Sequence, residues 1–163
     1  MDKKVKHILY GIILGASLAL NILLLTNDRH TMSAETTVET RIDTLNSWEV
    51  FTLALMKVES GYNNDAVSSA GAKGYFQMTP VYVKEVNRIH KTDFTFDQVT
   101  DFETAYKIFD LMQQAHNPGY DTDRALEIHN GKHKWYNKRV YKEMDNIVKY
   151  ESMRKRLKTT DKI

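Results

Sequence analysis

A chain of 163 residues, 42% of them hydrophobic, has enough apolar side chains for one modest core plus appendages. Its 23 Lys and Arg nearly balance its 21 Asp and Glu, and a net charge of +2 gives no bias toward nucleic acid. With no cysteine, a disulfide framework, a thiolate metal site and a thiol nucleophile are all excluded.

The N-terminus reads as a targeting element. Residues 1–7 are basic, with Lys3, Lys4 and Lys6 ahead of an almost wholly apolar run at residues 8–25. That run is at the short end of what spans a bilayer. Asp28 and Arg29 follow it, so the positive-inside bias puts residues 1–7 in the cytoplasm and the rest outside. A cleaved signal peptide is the competing reading, through the poor site Met32-Ser33-Ala34. The uncleaved anchor is preferred because the run exceeds a usual signal core. The absence of Cys after the run excludes a lipoprotein. Residues 26–45 are polar, rich in Thr and Glu, and read as a linker averaging about 25 Å as a flexible coil.

From residue 46 the periodicity is helical. Residues 48–60 carry Phe51, Leu55 and Val58 on one face, with a possible Asn46/Glu49 capping box ahead. Glu59 extends that face and Gly61 stops the helix. A carboxylate here meets the negative end of the helix dipole and loses hydration if the face is buried. Both effects favour the protonated form that a general acid needs. Periodicity alone also allows a solvated Glu at a frayed helix end.

A Gly- and Ser-rich stretch follows, in which a small hairpin between Gly61 and Gly74 is possible. Thr79 and Pro80 then open a helix bearing Val83, Val86 and Ile89. Thr100-Asp101-Phe102-Glu103 reads as a capping box for a helix with Phe102, Ala105, Phe109 and Met112 on one face, ended by Asn117-Pro118-Gly119. Asp121 or Thr122 begins a short helix that Gly131 ends. A long helix follows with Tyr136, Val140, Met144, Ile147 and Val148 inward. The run from Lys149 to Lys162 is strongly basic, so residues 46–150 form the domain and 151–163 a basic tail.

Three blocks now line up: Glu59-Ser60-Gly61-Tyr62-Asn63, then Ser68-Ser69-Ala70-Gly71-Ala72-Lys73-Gly74, then Tyr75-Phe76-Gln77-Met78-Thr79-Pro80. In order and spacing they resemble the signature of the lytic transglycosylases of the soluble type (SLT), which share a fold with goose-type lysozymes. The resemblance implies an all-α, lysozyme-like domain behind the N-terminal helix and linker. It also implies cleavage of the MurNAc-β-1,4-GlcNAc bond of peptidoglycan. One Glu, here Glu59, acts as acid and then base, and the product is a 1,6-anhydro sugar. Ser60 and Gln77 would lie beside Glu59 in the glycan cleft, with Tyr62 and Tyr75 as sugar-stacking residues. Met78 is a packing residue.

Ala125-Leu126-Glu127-Ile128-His129-Asn130-Gly131 resembles the family segment Ala-Leu-x-x-Tyr-Asn-x-Gly, with His129 at the aromatic position and one residue missing before the glycine. Asn130 keeps its place and would order the cleft. Tyr141 resembles the family tyrosine whose hydroxyl approaches the catalytic carboxyl, although its position alone fits an ordinary half-buried tyrosine.

Asp65, Asp93, Asp97 and Asp101 are the candidates for a second, water-activating carboxylate, and each is better explained as a turn or cap residue. His129 and His133 have the spacing of a helical metal pair, but Gly131 lies between them and no third ligand is apparent. No metal or other cofactor is expected. The expected partners are peptidoglycan strands and, through residues 8–25, the cytoplasmic membrane, with the domain on its outer side and an envelope, phage or secretion assembly as a possible setting. Two alternatives stay open: a lysozyme-type hydrolase of the same bond, and a non-catalytic glycan-binding module.

Overall fold

The computed structural model describes residues 45–160, with side chains to Arg154. The basic segment at 1–7, the apolar run at 8–25 and nearly all of the linker lie outside these residues. Among the described residues no helix is long and apolar enough to cross a membrane. The compact unit begins at Ser47. It is all helical: α1 (Ser47–Ser60), α2 (Pro80–His90), a 3-10 turn (Phe96–Thr100), α3 (Phe102–His116), α4 (Thr122–Asn130) and α5 (Lys134–Thr160).

α1 is the central helix. Every residue from Val50 to Met56 is buried, so its middle is enclosed on all sides rather than on one stripe. α5 packs along it, α2 packs on α3, and α4 abuts α5. Phe76 stacks on Phe109 with ring centroids 4.6 Å apart, which ties the loop after α1 to α3. Trp48 closes the other end of this core against Phe51 and Tyr120.

The helix ends follow the sequence with one difference, and one inward position on α5 differs as well. Thr79 caps α2 by accepting from the Tyr82 N–H, with Pro80 at the first position. Asp101 caps α3 by accepting from the Thr104 N–H at 2.9 Å. The expected Thr100 cap is therefore displaced by one residue, because Thr100 closes the 3-10 turn and its hydroxyl donates to the Asp97 carbonyl. Asp121 caps α4. Val148, expected inward on α5, is exposed, whereas Tyr136 and Val140 are buried.

Between α3 and α4, Asn117 donates to the Asp121 carbonyl at 2.8 Å and accepts from the Asp121 N–H at 3.0 Å. This clamp fixes the direction of α4, and so the position of His129.

The loop from residue 61 to 79 forms two isolated antiparallel bridges, Val67 with Lys73 and Lys73 with Met78, in place of a hairpin. Gly74 is its pivot. With φ at +77°, its backbone passes so close to residue 99 that an added Cβ would meet the Val99 carbonyl oxygen at 2.2 Å. Gly71 has φ +80° but open space around it. Gly74→Ala is expected to cost about 3 kcal/mol or more of unfolding free energy, against about 1 kcal/mol for Gly71→Ala. Urea denaturation of the two variants checks this; equal losses would rule out the Val99 contact as the constraint.

Candidate active site

Glu59 occupies the last turn of α1, where the helix stops because Gly61 and Tyr62 both take positive φ. Their N–H groups bond back to the Lys57 and Met56 carbonyls. Only 15% of the Glu59 side chain is exposed.

Two donors reach its carboxyl, and both reach the same oxygen. The Tyr136 hydroxyl, from the first turn of α5, donates to Oε1. His129 Nε2, from the last turn of α4, lies 3.2 Å from Oε1 and its side chain is 5% exposed. Among the described residues no hydrogen bond reaches Oε2. His129 Nδ1 is buried with no protein partner among those residues, so the ring meets the carboxyl through Nε2 alone. Phe109 flanks the imidazole, with ring centroids 6.2 Å apart.

This environment reverses one expectation. Burial is the largest single influence on Glu59 and pushes its pKa up, as the sequence suggests. The His129 and Tyr136 hydrogen bonds, with the positive charges of His129 and Arg139, together outweigh it and hold the carboxyl below its ordinary value of 4.5. The isolated site therefore stores Glu59 as a carboxylate. Tyr136 stays protonated, pushed far up by burial and by the adjacent carboxylate.

The other expected residues divide. Tyr141 does not approach Glu59: its hydroxyl donates to Asp123 Oδ1 at 2.6 Å, and the residue is exposed. Tyr136, five residues earlier, takes the place expected of Tyr141. Ser60 lies beside Glu59, but its hydroxyl contacts the Met56 and Tyr75 carbonyls at 3.2 and 3.1 Å. Gln77 Nε2 donates to the Ala66 and Gly74 carbonyls at 3.0 and 2.9 Å. Both amide hydrogens are thus engaged inside the loop. The Ser60 hydroxyl and the Gln77 amide hydrogens hold the loop together instead of presenting free donors to a ligand.

Tyr62 is half-buried beside the Lys57 ammonium, and burial with the Glu143 charge pushes its hydroxyl up to about 12. Tyr75 packs edge-on to Phe102 at 5.4 Å. Asn130 ends α4 next to His129.

His129, Tyr136 and Arg139 are the groups that lower the Glu59 pKa. Asp97 is paired with Lys73 at 3.0 Å, and Asp101 is spent on the α3 cap. Among the described residues no cluster of three or more potential ligands could hold a metal ion. The sequence did carry a signal for Tyr136, an inward position on α5, but its distance from the recognised motif concealed the contact.

Removing His129 deletes the strongest of the influences that lower the Glu59 pKa, while burial and the Tyr136 and Arg139 influences remain. In His129→Phe the Glu59 pKa is therefore expected to rise from its wild-type position. Carboxyl NMR titration reads this directly; an unchanged titration would show that the pair is not coupled. In the wild type a depressed folded-state pKa stabilises the fold above the unfolded value. That contribution is lost as pH falls through the lower folded value, and it should be absent in Glu59→Gln.

No curated protein and no solved structure gives a significant match to this chain. The model of the transglycosylase SLT domain matches residues 37–128. The match holds α1 with Glu59, the loop with its two bridges, α2, α3 and all but the end of α4. It stops one residue before His129, so both donors to the carboxyl stand outside it. Since it takes in more than half of the sequence, the chain belongs to the transglycosylase SLT family.

Proposed function

We propose that this protein is a peptidoglycan lytic transglycosylase that cleaves the MurNAc-β-1,4-GlcNAc bond with Glu59 as its single acid and base. The observation carrying the reading is the asymmetry of the carboxyl. Tyr136 and His129 both occupy Oε1, so a proton taken up by Glu59 resides on Oε2, which is free to meet a glycosidic oxygen.

Glu59 must gain a proton before it can act, although the isolated site holds it ionised. A glycan strand lying over the partly open carboxyl removes the remaining water. That strengthens burial, already the largest single influence, and tips the group toward the acid form. Proton transfer to the leaving oxygen then breaks the C1–O bond and leaves an oxocarbenium-like sugar. The carboxylate so formed regains the support of Tyr136 and His129 on Oε1. Oε2 takes the proton of the sugar's C6 hydroxyl as that oxygen closes on C1, giving the 1,6-anhydro ring without consuming water.

Hydrolysis of the same bond would draw on a second carboxylate to activate water. Of the four candidate carboxylates, Asp97 is paired with Lys73 and Asp101 caps α3, which favours ring closure. The apolar run at 8–25 supports a place on the outer face of the cytoplasmic membrane, tethered through residues 26–45.

Mass spectrometry of products from purified sacculi tests the chemistry: fragments should end in an anhydro sugar, one water lighter than hydrolysis products. Reducing ends instead would make the protein a lysozyme-type hydrolase. Glu59→Gln is expected to lower the rate by about 10³-fold. Equal clearing by both proteins on a murein zymogram would remove Glu59 from the chemistry.

A further inference from the structure

We propose that Trp135 and Arg139 form a substrate-holding platform beside Glu59, the indole stacking on a sugar ring and the guanidinium pairing with a carboxylate carried by the same strand. This rests on the reading of Glu59 as the cleaving group and names what holds the strand there.

The sides of α5 can be told apart by what they touch. Tyr136 and Val140 mark its buried face against α1. Tyr141, bonded to Asp123, marks the side toward α4. Glu143, whose charge acts on Tyr62, marks the opposite side, toward the loop that follows Glu59. Trp135, Arg139 and Glu143 are spaced four apart, so they share that last stripe. Arg139 lies close enough to act on both Glu59 and Tyr136. Trp135 continues the stripe one turn earlier, its ring edge-on to Tyr136 at 6.0 Å. The platform therefore borders the carboxyl on its loop side.

Trp135 is 62% exposed, so its indole is open to a ligand. The apolar, π-rich face suits the C–H face of a sugar ring. The Arg139 guanidinium lies 6.0 Å from the ring and forms no ion pair among the described residues. Around it are the exposed Lys134, Lys138 and Lys142, so this end of α5 is basic and favours an anionic glycan over a neutral one. Murein offers that charge as the lactyl carboxylate of stem-free strands or as the carboxylates of the peptide stem.

The full-length protein carrying Glu59→Gln allows binding of soluble murein strands to be read without turnover. Of the two tryptophans, Trp48 is packed against Phe51 and Tyr120, so a ligand-dependent change in emission reports Trp135. Trp135→Ala should weaken binding about tenfold, with Trp135→Phe recovering part of it. With Glu59 intact, Trp135→Ala should raise KM by about the same factor while kcat changes little. Arg139→Gln should weaken binding of murein strands but not of neutral chitin oligosaccharides. A loss confined to stem-bearing strands assigns the stem carboxylates, and one confined to stem-free strands assigns the lactyl group.

Saturating strands that leave the emission unchanged, with Trp135→Ala binding like its parent, would overturn the platform. Trp135-dependent binding by a wild-type protein that cuts nothing would instead refute the Glu59 reading and leave the platform standing.

Discussion

The site depends on one oxygen atom. Glu59 Oε1 is where three helices meet chemically: α1 supplies the carboxyl, α4 brings His129 and α5 brings Tyr136. Neither donor is near Glu59 in sequence. The enclosed middle of α1, the Asn117 clamp that aims α4, and the packing of α5 along α1 all serve to bring them there. Burial and hydrogen bonding oppose each other at this point, and the balance of the two sets the protonation of the group.

The loop beside the site illustrates a different economy. Ser60 and Gln77, polar residues of the recognised motif, invite assignment to ligand contact. Their hydrogen bonds go to carbonyls of the loop: Ser60 reaches Tyr75, and the Gln77 amide adds a second donor to the Ala66 and Gly74 carbonyls, which already accept from the Gly74 and Gln77 N–H groups. Gln77 even takes a φ of 46°, a conformation unusual outside glycine, so that its backbone and its amide can both serve the bridges. Rigidity of the loop comes from these bonds and from Phe76 stacked on Phe109.

Much of this architecture could be read from the residues, because caps and periodicity are local. Pro80 after Thr79, Asp121 before α4 and Gly131 after it mark their boundaries by side-chain chemistry that needs no tertiary context. Glu59 was legible for the same reason, at the end of an apolar face and at the head of a dense motif. The tyrosine partner was not. Tyr136 and Tyr141 both lie on α5 within five residues, and only the rotation of that helix against α1 determines which one faces the carboxyl. His129 read as a departure from a pattern, whereas its position gives it a direct role at Oε1. The direction of the Glu59 pKa likewise requires knowing both donors, since the helix end and burial alone point the other way.

The separation of 77 residues between Glu59 and Tyr136 has a consequence for biogenesis. During synthesis α1 and the motif loop emerge long before α4 and α5, and a chain cut short before residue 129 exposes the glutamate without either of its distant donors. The arrangement around Oε1 is therefore a property of the whole domain: only when the last helix is in place does the carboxyl have both of its partners.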